Sequence, residues 1–167
     1  SALPIVLLLS LGVAITLDLV GLAVTGVASP VTELLIFFGG APGTGVTIPF
    51  AADAFAWIVA IMLLVLFQPL AEELMFRGLI YPALRTGLGA WVGFFATAIL
   101  YAAFHLFTYT TTPQSNFPFT WYVLLLPLLN GLYLTAVRAY TRSTRAAIVA
   151  HVGLGIFAIL RALVLAG

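Results

Sequence analysis

Long runs of apolar residues, separated by short polar segments, make up most of the chain. A helix that crosses a bilayer takes about 20 largely apolar residues, and the chain has five runs of about that length. The predicted spans cover about residues 3–28, 50–70, 89–109, 119–137 and 146–165. The pattern therefore predicts an all-α fold, a polytopic transmembrane helix bundle of about five spans that forms a single membrane domain over residues 1–167.

The segments between the spans contain the residues that usually end helices. Residues 31–38 form an apolar run too short to cross a bilayer, which predicts a short re-entrant or interfacial helix. Residues 77–88 contain a proline and two glycines and are predicted as a connection. The same prediction holds for the polar residues 110–118 and for residues 138–145, which carry three arginines. Pro127 is expected to kink the fourth span.

The composition supports a membrane protein and excludes several functions. Hydrophobic residues make up 63% of the chain and charged residues 7%, against about 25% charged residues in soluble domains. There is no lysine, and the six arginines are dispersed, so no basic patch is available for nucleic acid. There is no cysteine, which excludes disulfides, thiol catalysis and cysteine-ligated metals. The glycine-rich residues 39–45 lack the Gly-Lys-Ser/Thr ending of a nucleotide-binding loop.

The distribution of arginines predicts an orientation. The connections after the second and fourth spans hold five of the six arginines, and the connection after the third span holds none. The positive-inside rule then places both arginine-bearing connections in the cytoplasm. We expect an integral protein of a prokaryotic plasma membrane, with membrane lipid as its first partner. Counting along the spans puts Glu72 and Glu73 near the cytoplasmic end of the second span and His105 near the far end of the third, which separates them in depth.

Three charges lie close together at the end of the second apolar run, at Glu72, Glu73 and Arg77. On a helix, Glu73 and Arg77 are i,i+4 neighbours with the acid nearer the N-terminus, the favourable orientation for an ion pair. Glu72 points about 100° away. The spacing predicts that Arg77 neutralises Glu73 while Glu72 is available for chemistry. The alternative is a salt bridge at a helix end with a second, solvated glutamate.

Asp18 lies in the apolar body of the first span. A charge at that depth is costly and by default suggests a function. No motif surrounds Asp18, however. We therefore expect a hydroxyl or backbone group of a neighbouring helix to satisfy it.

Common intramembrane hydrolase signatures are missing from the sequence. There is no His-Glu-x-x-His zinc helix, no Gly-x-Ser-x-Gly elbow and no Gly-x-Gly-Asp motif of an aspartyl intramembrane protease. The candidates for chemistry are the polar residues that remain in or beside the spans: Glu72, Glu73, Arg77, His105, Asn130 and His151.

These residues carry a resemblance to a known family. The stretch Glu72-Glu73-Leu74-Met75-Phe76-Arg77-Gly78 resembles the Glu-Glu-x-x-x-Arg motif of the CPBP family, also called Abi or CAAX-protease-like. The family's Phe-x-x-x-His motif is similar to the stretch from Tyr101 to His105. Its last motif, His-x-x-x-Asn, is similar to the stretch from His151 to Gly155, and Asn130 lies in the run before it. The resemblance covers about residues 67–155.

The resemblance implies a hydrolase that cleaves peptide bonds, with Glu72 activating water and His105 assisting. It implies that His151 and the residue at position 155 stabilise the oxyanion. The implied supporting residues are Glu73, Arg77, Tyr101, Asn130 and Gly155. A glutamate–water mechanism requires no cofactor. A divalent metal held by the glutamate and the two histidines is an alternative that the sequence leaves open.

Two functions follow from the resemblance. The first is an intramembrane endopeptidase acting on a peptide or protein substrate near the membrane. The second is a catalytically weak or silent member that serves as a structural or assembly subunit of a larger membrane complex, with a pigment or haem near a histidine. Gly155 replaces an asparagine that would donate to the oxyanion. We therefore predict a poor peptidase whose activity rises in Gly155→Asn.

Overall fold

A computed structural model describes residues 2–27, 54–109 and 117–166. These residues form five helices: α1 (Leu3–Thr25), α2 (residues 54–88), α3 (Ala90–Tyr109), α4 (Phe117–Thr141) and α5 (Thr144–Ala166). Each helix contains a segment long and apolar enough to cross a membrane. Within the described ranges there is no β-strand. The predicted all-α bundle with five spans is confirmed, and the short helix predicted at residues 31–38 lies outside the described residues.

Helix α2 corrects the predicted second span. Its apolar segment Trp57–Leu88 is 32 residues long, so the predicted connection at residues 77–88 is helical instead. The error came from treating Pro82 and the two glycines as the end of a helix. Glu72 and Glu73 consequently lie near the middle of the segment rather than at its end.

Wide π-helical turns accompany the prolines inside these helices. The turns Met62–Phe67, Leu74–Ile80 and Thr120–Leu125 each end two residues before a proline, at Pro69, Pro82 and Pro127. Proline has no N–H, and its ring crowds the carbonyl of the preceding turn. Single π turns often occur at functional sites, and the turn Leu74–Ile80 directly follows the Glu72-Glu73 pair.

Two tight turns fold the chain back on itself. Gly89, with φ of 90°, separates α2 from α3, and a residue with a side chain would be strained in that conformation. Arg142 has a left-handed φ of 56° and lies between α4 and α5. The predicted loop at residues 138–145 is therefore wrong in extent, because helix α4 continues to Thr141 and α5 begins at Thr144.

The turn at Gly89 places the polar residues of α2 and α3 at the same height along the bundle. Glu72 lies 16 residues before Leu88, and His105 lies 15 residues after Ala90. Because antiparallel neighbours rise by the same distance per residue, these side chains meet at one depth. The depth mismatch expected from the sequence is therefore resolved.

Small residues let the helices approach closely around a polar interior. A Cβ at Gly131 would lie 3.0 Å from the Ala98 carbonyl oxygen, and a Cβ at Gly153 would lie 2.8 Å from Ser10 Cβ. Close backbone approach of this kind is the usual packing between membrane helices. Large apolar side chains cover much of the exposed surface. The buried polar side chains include Glu72, Glu73, Arg77, His105 and His151.

Candidate active site

A fully buried ion pair lies at the centre of the bundle. Arg77 Nη1 donates to Glu73 Oε1 at 2.8 Å, and both side chains are 0% exposed. This confirms the predicted i,i+4 pair. Arg77 Nη2 donates to the Gly131 carbonyl of α4 at 2.9 Å, and the guanidinium carbon lies 4.5 Å from the Tyr101 ring centroid. The guanidinium of Arg77, neutralised by Glu73, therefore contacts groups of α2, α3 and α4.

The same glutamate orients a histidine from the last helix. His151 Nδ1 lies 2.9 Å from Glu73 Oε1, and because a carboxylate only accepts, Nδ1 carries the hydrogen. The other ring nitrogen, Nε2, lies 3.4 Å from the Tyr101 hydroxyl. Glu73 thus fixes the orientation of the His151 ring, as the aspartate of a Ser-His-Asp triad does for its histidine.

Glu72 has one oxygen engaged and one oxygen facing two histidines. Gln68 Nε2 donates to Glu72 Oε1 at 2.9 Å. The other oxygen, Oε2, is buried and accepts no hydrogen bond from the described residues. It lies 3.8 Å from His105 Nε2 and 4.0 Å from His151 Nε2. These separations are too long for direct hydrogen bonds and suit a bridging water.

His105 is held with a defined ring nitrogen toward Glu72. Its Nδ1 lies 3.1 Å from the Tyr101 carbonyl oxygen, which can only accept, so Nδ1 donates. In the neutral ring, Nε2 then presents its lone pair toward Glu72. A water placed between them can donate one hydrogen to the carboxylate and the other to the histidine.

A cavity of about 180 Å³ is lined by both histidines. The polar residues that line it are Asp18, Gln68, Tyr101, His105, Tyr122, Asn130, His151 and Arg161. Gly155 lines it as well. Asn130, which the sequence could not place relative to the histidines, therefore shares their cavity.

Comparison with known families agrees with this geometry. Residues 54–157, more than half of the chain, match the family model described as type II CAAX prenyl endopeptidase Rce1-like. The chain belongs to this family. The resemblance drawn from the Glu-Glu-x-x-x-Arg motif is thereby confirmed at the level of the family. No match to the chain was found among curated proteins or among solved structures.

The matched residues contain only some of the buried or part-buried polar residues. Glu72, His105 and His151 lie inside the matched residues, whereas Asp18 and Arg161 lie outside them. Arg161 Nε donates to Asp18 Oδ2 at 2.8 Å and thereby connects α5 to α1. Asp18 was expected to be satisfied by a hydroxyl or backbone group, and that expectation is wrong. The missed signal was a second charge of opposite sign, Arg161, inside another predicted span.

The donor atoms offer no ready metal site. Among the residues in the described ranges, no group of three histidine, cysteine, aspartate or glutamate side chains is arranged to hold a metal ion. Glu73 engages His151 Nδ1, which leaves Nε2 as the remaining ring nitrogen of that histidine. We derive no step through a metal.

Gly155 is a point of close helix packing. A Cβ at this position would lie 3.2 Å from the Leu64 carbonyl oxygen and 3.4 Å from Val65 Cα, both in the π-helical turn Met62–Phe67. Backbone atoms cannot rotate away as the end of a side chain can. The structure therefore adds a packing cost to Gly155→Asn that the sequence could not reveal, and the predicted gain in activity has to be revised.

We expect Gly155→Asn and Gly155→Ala to lower the free energy of unfolding by about 1–3 kcal/mol, the usual effect of overpacking a well-packed site. Thermal unfolding in detergent measures the change. Gly12→Ala is the matched control, because a Cβ at that helical glycine meets nothing within 4 Å. A stable Gly155→Asn protein with raised peptidase activity would contradict the packing argument and restore the sequence-based prediction.

Proposed function

We propose that the protein is an intramembrane endopeptidase that hydrolyses a peptide bond close to the membrane, using water activated by Glu72. The observation that supports this most directly is the environment of Glu72 Oε2. This buried carboxylate oxygen faces His105 Nε2 at 3.8 Å and His151 Nε2 at 4.0 Å. Both histidines line the cavity.

Glu72 is the general base of the proposed reaction. Water bound between Glu72 Oε2 and His105 Nε2 gives a proton to the carboxylate as its oxygen attacks the peptide carbonyl carbon. The carbon–nitrogen bond then breaks, and Glu72 returns the proton to the leaving amine. A positioned base or acid of this kind contributes about 10²–10⁴-fold to the rate.

His151 is the donor for the negative charge that develops on the carbonyl oxygen. Glu73 engages Nδ1–H, so this role requires a second hydrogen on the ring, at Nε2, which faces the site. Asn130 lines the same cavity, and its side-chain amide supplies a second donor in place of the one that Gly155 lacks. Preorganised donors of this type stabilise tetrahedral intermediates strongly because they need no reorganisation during the reaction.

One observation favours a second candidate function. Position 155 has no side chain and lies against the backbone of α2, so a donor group cannot enter there without a shift of the helices. A silent family member that acts as a subunit of a membrane complex would tolerate this loss. Stable co-purification with other membrane proteins, together with no cleavage, would support that alternative.

Peptide cleavage by the purified protein in liposomes tests the proposal. Two probes are appropriate: a membrane-proximal peptide without modification, and a prenylated CAAX peptide, which the family description suggests. Cleavage that requires Glu72 supports the endopeptidase. No cleavage of either probe by folded wild-type protein, over a range of peptide sequences, contradicts it.

The orientation in the membrane can be tested separately. Arg138 contacts α2, since its guanidinium carbon lies 5.9 Å from the Tyr81 ring centroid, so the arginine-bearing ends of α2 and α4 lie at one end of the bundle. We propose that this end is cytoplasmic. In this cysteine-free chain, Thr86→Cys should be protected from an impermeant thiol reagent added outside, and Ser115→Cys should react. Equal labelling of both variants would contradict the orientation.

A further inference from the structure

The cavity that contains the two histidines has a second charged group far from them. Asp18 and Arg161 line its wall together with His105 and His151. Arg161 lies ten residues after His151 on α5, which corresponds to about 15 Å along the helix axis. One cavity therefore contains the two histidines of the proposed reacting centre and a part-buried ion pair.

The ion pair leaves part of the arginine unused. Arg161 Nε donates to Asp18 Oδ2, and the two terminal nitrogens of Arg161 donate no hydrogen bond within the described residues. The side chain of Arg161 is 17% exposed. Asp18 Oδ1 is buried and also accepts no hydrogen bond there. A buried acceptor without a partner is costly, and Arg161 lines the cavity, so its unused donors can reach a ligand there.

The charge of the pair indicates what the ligand is. Asp18 already neutralises Arg161, so a second carboxylate would leave an excess negative charge in a poorly solvated site. A peptide carbonyl accepts a hydrogen bond without adding charge. Arg77 of the same protein combines a carboxylate with a carbonyl in this way. One of its terminal nitrogens donates to Glu73, and the other donates to the Gly131 carbonyl.

We propose that Arg161 binds a backbone carbonyl of the peptide substrate and that Asp18 positions the guanidinium for this contact. The inference rests on the proposed endopeptidase activity for its choice of ligand. An extended peptide advances about 3.3 Å per residue, so the contacted carbonyl lies about four to five residues from the scissile bond. Both residues lie outside the residues that match the family model.

Peptide length is the variable that tests this subsite. Two series of peptides with acetylated and amidated ends are lengthened one residue at a time, on either side of the scissile bond. In one series, kcat/KM should rise about 10- to 100-fold as the peptide passes four to five residues, the effect expected for a hydrogen bond to a charged donor. The double variant Asp18→Asn/Arg161→Gln removes both charges together. In this variant, the ratio of kcat/KM for the long peptide to kcat/KM for the short peptide should fall toward one.

Two further variants separate binding from folding. Arg161→Lys keeps a cation beside Asp18 but loses the guanidinium fork, so it should fold and still show a reduced ratio. Leu160→Ala, at a 53% exposed neighbouring position, should keep the wild-type ratio. A ratio that stays at the wild-type value in folded Asp18→Asn/Arg161→Gln and in Arg161→Lys would overturn the subsite. A length effect that appears only with a free C-terminal carboxylate would overturn the choice of a carbonyl.

Direct binding separates this inference from the proposed catalysis. The same peptides can be titrated against Glu72→Gln protein, with and without the Arg161→Lys change, and the dissociation constants compared. Tighter binding of long peptides that depends on Arg161 supports the subsite even if no form of the protein cleaves them. If long and short peptides bind equally, or if neither binds, the subsite is wrong whatever the outcome of the cleavage assay.

Discussion

Replacing Glu72 by glutamine should remove the proposed peptidase activity and leave the protein folded. The amide has nearly the shape of the carboxylate, so Gln68 keeps a neighbour of similar size. It cannot accept a proton from water, however, and the loss of a general base costs about 10²–10⁴-fold in rate. The measurement is cleavage of a membrane-proximal peptide in liposomes, with thermal unfolding in detergent as the check on folding.

Glu72→Asp provides a graded comparison for the same position. It keeps the charge but withdraws the carboxylate by one methylene from His105 and His151, which already lie 3.8 Å and 4.0 Å from Oε2. Its activity should fall between those of the wild type and Glu72→Gln. Full activity in Glu72→Gln, with folded protein and a working assay, would show that Glu72 is not the base.

The ion pair of Glu73 and Arg77 could be predicted from sequence because its geometry is local. Side chains four residues apart on a helix are neighbours whatever surrounds the helix, and the observed separation is 2.8 Å. The same reasoning separated Glu72 from Glu73. The number of spans was equally predictable, because hydrophobic length alone distinguishes a membrane helix, although the extent of the second span was not.

The features that sequence reasoning missed depend on contacts between helices. Pro82 suggested the end of a helix, whereas α2 continues to Leu88 with a π turn before the proline. That single difference moved Glu72 away from His105 in the predicted topology. Similarly, Asp18 and Arg161 are 143 residues apart, and nothing local indicates that they meet. The role of Gly155 depends on the backbone of another helix, which a motif comparison cannot show.

The two glutamates have different neighbours, which suggests different roles for them. Glu73 is shared by Arg77 and His151 through Oε1, so it both neutralises a buried cation and orients a ring. Within the described residues, the one hydrogen bond that Glu72 accepts comes from the neutral amide of Gln68, at Oε1. A carboxylate already engaged by a cation is a poor base, whereas one whose second oxygen faces two histidines can take up a proton from water. Substitution at Glu73 should accordingly affect stability first.

Glu73→Gln should therefore lower the free energy of unfolding by about 3–5 kcal/mol, the usual cost of leaving one member of a buried ion pair unpaired. The glutamine oxygen can still accept from His151 Nδ1, so the loss arises mainly at Arg77, whose side chain is 0% exposed. Arg77→Met should cost a similar amount by leaving Glu73 charged. Unfolding in mixed micelles measures both changes.

The double variant Glu73→Gln/Arg77→Met distinguishes a charge effect from a packing effect. It removes both buried charges at once, and replacing a whole buried pair is far less costly than breaking it. We expect the double variant to be more stable than either single variant, with a coupling of about 2 kcal/mol or more between the two positions. If the losses in free energy of unfolding of the two single variants simply add in the double variant, Arg77 stabilises the fold through its contacts with Tyr101 and the Gly131 carbonyl. Pairing with Glu73 would then contribute little.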